Sequence, residues 1–250
     1  MNTIKRKLKA DQPVIGMLVT MPSPHLTQTL AAAGLDWLMI DMEHGAIGVD
    51  ALHPMLAATA GTDCIPLVRV PLETPAMVKP VLDSGAYGIV FPMVCTRQEA
   101  EKTNTLLRYP PVGERGVGPI FAPQRWGLSF PEYIAQANEE IVNFVLIEHI
   151  DAVENIAEIL AVPGLDAALI APFDLSASLG EIGNLEHPKV REAIARIEEA
   201  VLASPIALGG LALDVADAKA KLDKGYRVLI MGYDVRMITQ QVTSMLSELN

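Results

Sequence analysis

The chain has 250 residues, half of them apolar and 5% aromatic, with 19 basic against 30 acidic side chains for a formal net charge of −11. A field of that sign repels nucleic acid phosphates and anionic lipid surfaces, so neither is an expected partner. No run approaches the roughly 18 apolar residues of a membrane span, and no signal-type apolar segment follows Lys5, Arg6, Lys7 and Lys9, so a soluble cytoplasmic protein is expected.

After a short basic N-terminal helix, β-like runs alternate with helical segments. Val14 to Thr20 reads as a strand followed by a helix to about Ala33; Trp37 to Asp41 precedes a helix from Asp50, and Ile65 to Arg69 a helix from Thr74. Gly88 to Phe91 is followed by a helix from Arg97, Val142 to Ile147 by one from Ala152, and then come Ala167 to Ile170 and Ser204 to Gly209. A helix from Asp214, the run Tyr226 to Ile230 and a last helix from Val235 complete the series. Eight strands in such alternation, at this length, predict an α/β TIM (β/α)8 barrel with a short N-terminal helix, one catalytic domain over residues 1–250. Arg108 to about Asn138 and Ser176 to Pro188 read as longer loops able to cover a site, the first expected to close it. Cys64 and Cys95 read as reduced and structural.

Several apolar runs end in a residue able to bind a metal or an oxyanion. Leu38-Met39-Ile40 leads into Asp41, Glu43 and His44, Leu67-Val68 into Arg69, Leu146-Ile147 into Glu148, and Leu169-Ile170 into Ala171-Pro172-Phe173-Asp174. Charged groups at the carboxyl ends of buried parallel strands are how a barrel builds an active site. Glu148 and Asp174 end adjacent expected strands, and two close carboxylates repel unless a divalent cation joins them; oxygen ligation points to Mg2+, Mn2+ or a similar ion. Alternatively, Asp174 caps a helical turn.

Among five histidines, His44 alone lies in a dense polar cluster at a strand end, which makes it the best candidate base, with Asp83 a possible partner. His25, His53 and His187 read as structural, and His149 stays open. Arg69 stands where packing wants an apolar side chain, so its charge should meet an oxyanion, a salt bridge to Asp41 or Glu43, or both. No lysine ends a strand, so carbonyl chemistry here needs a metal rather than a Schiff base. Gly113-x-x-Gly116-x-Gly118 fits neither a dinucleotide fingerprint nor a phosphate loop, while Gly209-Gly210, placed after strand seven, allows backbone amides near an anion or simply a tight turn.

Ile40-Asp41-Met42-Glu43-His44-Gly45, Arg69-Val70-Pro71, Leu82-Asp83-Ser84-Gly85-Ala86, Arg108-Tyr109-Pro110-Pro111, Ile147-Glu148, Ala152-Val153-Glu154-Asn155-Ile156 and Pro172-x-Asp174-Leu175-Ser176 occur in this order over nearly the whole chain. In this the chain resembles the HpcH/HpaI family of metal-dependent pyruvate aldolases. The resemblance implies that Glu148 and Asp174 hold the cation, His44 is the base supported by Asp83, and Arg69 polarises the substrate carbonyl. It also implies that Asp41 and Glu43 act from behind these groups, that the amides of Phe173 and Asp174 bind the pyruvyl carboxylate, and that the chain forms a homo-oligomer, a hexamer, with sites near subunit contacts. Two residues depart from the family pattern: Phe173 stands where a small residue is usual and His149 where a small hydroxyl residue is common.

The expected activity is reversible aldol cleavage of a 4-hydroxy-2-oxo acid to pyruvate or hydroxypyruvate and an aldehyde, with Mg2+, Mn2+ or Co2+ as cofactor. Two alternatives are a lyase of acyl-CoA esters of the citrate-lyase-like type and a metal-independent glycosidase using Glu148 and Asp174. Only two Trp and five Tyr argue against a sugar-stacking platform. A barrel that binds an oxo acid without turnover is a third.

Overall fold

The computed structural model describes residues 2–249. Its elements run α1 (Thr3–Lys9), β1 (Val14–Val19), α2 (Pro24–Ala32), β2 (Trp37–Asp41), α3 (Val49–Ala57), β3 (Ile65–Arg69), α4 (Pro75–Asp83), β4 (Gly88–Phe91) and α5 (Arg97–Leu107). They continue through α6 (Ala122–Trp126), α7 (Phe130–Glu140), β5 (Val142–Ile147), α8 (Ile150–Glu154), α9 (Ile156–Leu160), β6 (Ala167–Ile170) and α10 (Pro172–Ser178). The last are α11 (Pro188–Leu202), β7 (Ala207–Ala212), α12 (Val215–Lys224), β8 (Val228–Tyr233) and α13 (Asp234–Glu248). The eight strands pair in parallel and in chain order, and β8 returns to β1 to close the barrel. This is the expected (β/α)8 architecture.

Side-chain alternation divides the apolar strands between two cores. Trp37, Met39, Ile65, Leu67, Phe144, Leu146, Leu169 and Ile230 fill the barrel interior, and Ile4 of α1 belongs to the same cluster. Leu38, Ile40, Val68 and Val145 point the other way, into the layer beneath the helices. Trp37 meets Phe144 edge-on at 5.6 Å. A Cβ at residue 16 would stand 2.4 Å from the Trp37 ring, so Gly16 makes the space that the indole fills.

The same alternation builds the site. Trp37-Met39-Asp41, Ile65-Leu67-Arg69 and Phe144-Leu146-Glu148 are inward columns, each apolar at its lower positions and charged at its carboxyl end. The β2–β3 register sets Asp41 directly opposite Arg69.

The structure corrects several local expectations. β7 starts at Ala207 rather than Ser204, because Ser204 lies in the turn just after α11, tied back to that helix by donating its hydroxyl to the Val201 carbonyl. Gly209 and Gly210 consequently lie inside β7, not after it, and a Cβ on Gly209 would press within 2.8 Å of Leu169. β8 runs to Tyr233, three residues beyond the expected Ile230. The supposed loop from Arg108 to Asn138 contains α6 and most of α7, whose start is fixed by a reciprocal bonding box between Ser129 and Glu132. The supposed loop from Ser176 begins inside α10, and α11, for which no helix was expected, spans β6 to β7.

Candidate active site

Asp41, fully buried, accepts from Arg69 Nε at 2.8 Å and Nη2 at 2.7 Å, a two-point bond that fixes the guanidinium plane. The same carboxylate accepts from the backbone N–H groups of Glu43 at 3.1 Å and His44 at 3.3 Å, tying the loop that carries both residues to the strand end. Burial works to raise the Asp41 pKa, but the Arg69 bonds and charge and the two amides outweigh it and hold the carboxyl below its ordinary value. Burial likewise works to lower the Arg69 pKa and is overcome by Asp41, Glu43 and Glu148. The expected salt bridge of Arg69 is therefore present with both acids, Glu43 Oε2 lying 3.2 Å from Nε.

Glu43 Oε2 is buried and accepts no hydrogen bond among the described residues, its Arg69 and His44 contacts being charge contacts only. Burial raises the Glu43 pKa against the pull of Arg69 and His44, and Asp41 and Asp174 add to the rise. Glu148 is 4% exposed and accepts from the Met93 N–H at 2.6 Å. Burial, with Glu43 and Asp174 as neighbouring charges, pushes its pKa up to about 7 despite the Met93 bond and Arg69. Three carboxylates thus converge on one cation side chain.

His44 is exposed, its Nε2 3.7 Å from Glu43 Oε2, and so free to meet a ligand. Asp174 is exposed in the first turn of α10; it lies within the helix rather than at its cap, which is Ala171. Phe173 stands beside it, 48% exposed. The first helical bond of α10 runs from the Leu175 N–H to the Ala171 carbonyl, so the amides of Phe173 and Asp174 precede it. A cavity of about 290 Å3 opens among these groups, bordered by His44, Arg69, Phe173 and Asp174.

Asp83 is not brought to His44 within the chain. Its carboxylate accepts from Arg115 Nη2 at 2.8 Å, and that buried guanidinium also donates to the Tyr133 hydroxyl and lies over the Tyr109 ring at 4.5 Å. His149 caps α8 through its Nδ1, which accepts from the Asp151 N–H. Neither tryptophan offers a sugar platform at the mouth: Trp37 is inside the barrel and Trp126 stacks on Tyr87 at 4.2 Å.

Sequence reasoning missed Met93 and Asp234. Met93 has a φ of 53°, a left-handed conformation rare for a side-chain-bearing residue, and its amide meets Glu148. Asp234, 2% exposed, accepts from the backbone of Thr20 and Met21 and from the Thr20 hydroxyl, placing Thr20 at the cavity edge. An acid following a strand was a visible signal for the second; nothing in the sequence marked the first.

Among the described residues no group of three or more His, Cys, Asp or Glu side chains is placed to hold a metal ion by itself. The crowding of Glu148, its pKa pushed up to about 7, with Asp174 and with Glu43, whose buried Oε2 accepts no hydrogen bond, nevertheless fits a hard divalent ion that takes its remaining ligands from elsewhere.

Residues 14–240 match the model of the HpcH/HpaI aldolase/citrate lyase family. A 5-keto-4-deoxy-D-glucarate aldolase of Salmonella paratyphi C is 38% identical over 94% of this chain and 91% of its own. The crystal structure of an HpcH/HpaI aldolase/citrate lyase family protein from Burkholderia cenocepacia superposes with a TM-score of 0.92 at 33% identity, covering 100% of this chain and 99% of that one. An HpcH/HpaI aldolase from Desulfitobacterium hafniense gives 0.92 at 32%, covering 100% and 96%.

Proposed function

Because the chain belongs to the HpcH/HpaI aldolase/citrate lyase family and is a metal-dependent aldolase, we propose that it cleaves its 4-hydroxy-2-oxo acid at the barrel mouth, with Glu148 and Asp174 holding a divalent ion. The products are pyruvate, or hydroxypyruvate, and an aldehyde. The observation that carries this reading is the crowding of Glu148 with Glu43 and Asp174 beside Arg69, a charge arrangement that a cation relieves. When bound, Mg2+, Mn2+ or Co2+ supplies Lewis-acid polarisation of an oxo group and compensates the negative charge that develops there.

The chain's own groups do the rest. The leading amides of α10, Phe173 and Asp174, receive the substrate carboxylate at a helix start, where N–H groups lack internal partners. Arg69, locked in plane by Asp41, directs its charge at the 2-oxo oxygen, and Glu43 shares in holding it. His44 takes the proton of the C4 hydroxyl; the C3–C4 bond breaks, the aldehyde carbonyl forms, and the bonding electrons pass into the pyruvyl half, which is reprotonated at C3. Run backwards, the same groups join pyruvate to an aldehyde.

Within one chain His44 pairs with Glu43 and not with Asp83, so support of His44 by Asp83 is assigned to a second copy, whose Asp83 brings its Arg115 partner with it. A homo-oligomer, by resemblance a hexamer, is therefore part of the proposal, and the exposed apolar residues of α13, Val235, Met237, Ile238, Val242 and Met245, supply a face for it. We also place the protein in the cytoplasm as one catalytic domain over 1–250. Its two free cysteines, with thiol pKa values pushed by burial to about 12 and about 11, suit a reducing compartment.

The test is turnover of pyruvate with a panel of small aldehydes. Chelation should abolish it, a divalent ion should restore it, and Glu148→Gln should remove it. Turnover that survives chelator or Glu148→Gln contradicts the metal role.

A further inference from the structure

At the rim of the barrel the pairing of β8 with β1 slips by one residue. Gly16 pairs with Ile230 but Leu18 with Tyr233, so an advance of two residues on β1 is matched by three on β8. The slip spans Gly232, whose φ of 73° is left-handed and whose Cβ position has no atom within 4 Å. The glycine therefore serves the backbone conformation and not the space around it. Alternation places Val228 and Ile230 in the barrel interior and Leu229 and Met231 beneath the helices, and continued unbroken it would send Tyr233 outward as well. The extra residue reverses the phase, and Tyr233 borders the same cavity as Leu18, Ile230, Arg69 and Asp174. Bulges that re-aim one side chain recur at barrel rims beside active sites.

Asp234 fixes what the bulge has turned. Its carboxylate accepts from the Thr20 and Met21 amides and, at 2.7 Å, from the Thr20 hydroxyl. That bond uses the one proton of the Thr20 hydroxyl, so toward the cavity, which Thr20 also borders, the oxygen offers lone pairs only. Tyr233, half-buried and next in chain to the Asp234 that holds Thr20, brings a phenolic O–H to the same wall. A donor and an acceptor on one wall match a hydroxyl group, which accepts from the first and donates to the second, whereas a methyl group leaves both without a partner.

The position of the pair decides which part of a substrate it meets. Glu148 and Asp174 follow β5 and β6, Arg69 ends β3 and His44 follows β2, so the pyruvyl half and the C4 oxygen are taken on those arcs. The strands β8 and β1 lie on the remaining side, next to β2. We propose that Tyr233 is a specificity-determining residue that binds, together with Thr20, a hydroxyl on the carbon next to C4, and so selects 2-hydroxy aldehydes as partners of pyruvate. The proposal rests on the aldolase reading of the site and names the substrate class within it.

The test compares glycolaldehyde with propanal as partners of pyruvate, a matched pair in which a methyl replaces the hydroxyl. The two differ in intrinsic reactivity, so the quantity read is the change in the ratio of their kcat/KM values in Tyr233→Phe, which keeps the ring and loses the phenolic oxygen. The glycolaldehyde-to-propanal ratio should fall about fivefold to tenfold, the size of one hydrogen bond between neutral groups. Calorimetry with Mg2+ and two compounds that lack the C4 hydroxyl and differ in the same way, 5-hydroxy-2-oxopentanoate and 2-oxohexanoate, should show the same fall in relative affinity. An unmoved ratio, whether both members of the pair keep their values or lose equally, overturns the inference and leaves the aldolase reading standing, the phenol then serving packing or a second copy. Absence of turnover with every aldehyde of a panel refutes that reading instead.

Discussion

At Glu148, burial and two neighbouring carboxylates keep a proton on the side chain up to about pH 7. Its folded pKa lies above its unfolded value of 4.5, so the metal-free fold binds this proton more tightly than the unfolded chain, and stability falls as pH rises through that interval. In chelator, melting from about pH 5 to about pH 8 should show a loss approaching about 3 kcal/mol, and Glu148→Gln should flatten the profile. A pH-independent stability in the unaltered protein would show that Glu148 is not desolvated. Arg69 makes a different prediction. Arg69→Met strands the buried Asp41 charge and should cost about 3–5 kcal/mol in denaturant unfolding. Arg69→Lys keeps a charge but not the fork, so it should retain more stability yet lose about 100-fold in kcat, as for removal of an oriented donor.

Within the elements, Asp234 joins the start of α13 to the turn after β1 through bonds from Thr20, Met21 and Val235. Asp234→Ala leaves those buried donors unpaired and should cost about 1–3 kcal/mol, with KM raised because Thr20 borders the cavity. An unchanged melting temperature and KM would remove Asp234 from the account. Gly16→Ala drives a methyl into Trp37 and should cost about 1–3 kcal/mol from overpacking. The strands β2, β3 and β5 were legible because both faces are apolar and the last inward residue is charged, so strand end and site residue were a single signal. β7 was misplaced because Ser-Pro-Ile carries no visible boundary and two glycines resemble a turn, although Leu169 and Val228 leave no room for a side chain on Gly209 inside the strand. α6 and α7 lay hidden behind the Tyr109-Pro110-Pro111 and Gly113–Gly118 stretch, where local composition speaks for a loop and only the Ser129–Glu132 box announces a helix. Asp83 was read as a possible partner of His44, but within the chain it meets Arg115, a tertiary contact that no local pattern encodes.

For the molecule as a whole, eight strands set Asp41, Arg69, Glu148 and Asp174 around one mouth although they are far apart in the chain, and closure of the barrel is what converts strand ends into a site. The exposed apolar face of α13 makes association the expected state in solution. Sedimentation should show an oligomer, and a Met237→Glu, Val242→Glu pair should release smaller species; a 26.9 kDa monomer in the unaltered protein would contradict it. The chain's charge of −11 opposes an anionic substrate at long range, so capture of an oxo acid depends on positive charge concentrated at the mouth. The most direct measurement is therefore titration of the chelator-stripped protein with Mn2+, comparing the unaltered chain with Glu148→Gln. One ion per chain is expected, with an affinity loss in the variant beyond the ~10–100-fold cost of losing a group behind a ligand. Equal Mn2+ affinity in the two proteins would contradict the claim that Glu148 holds the ion.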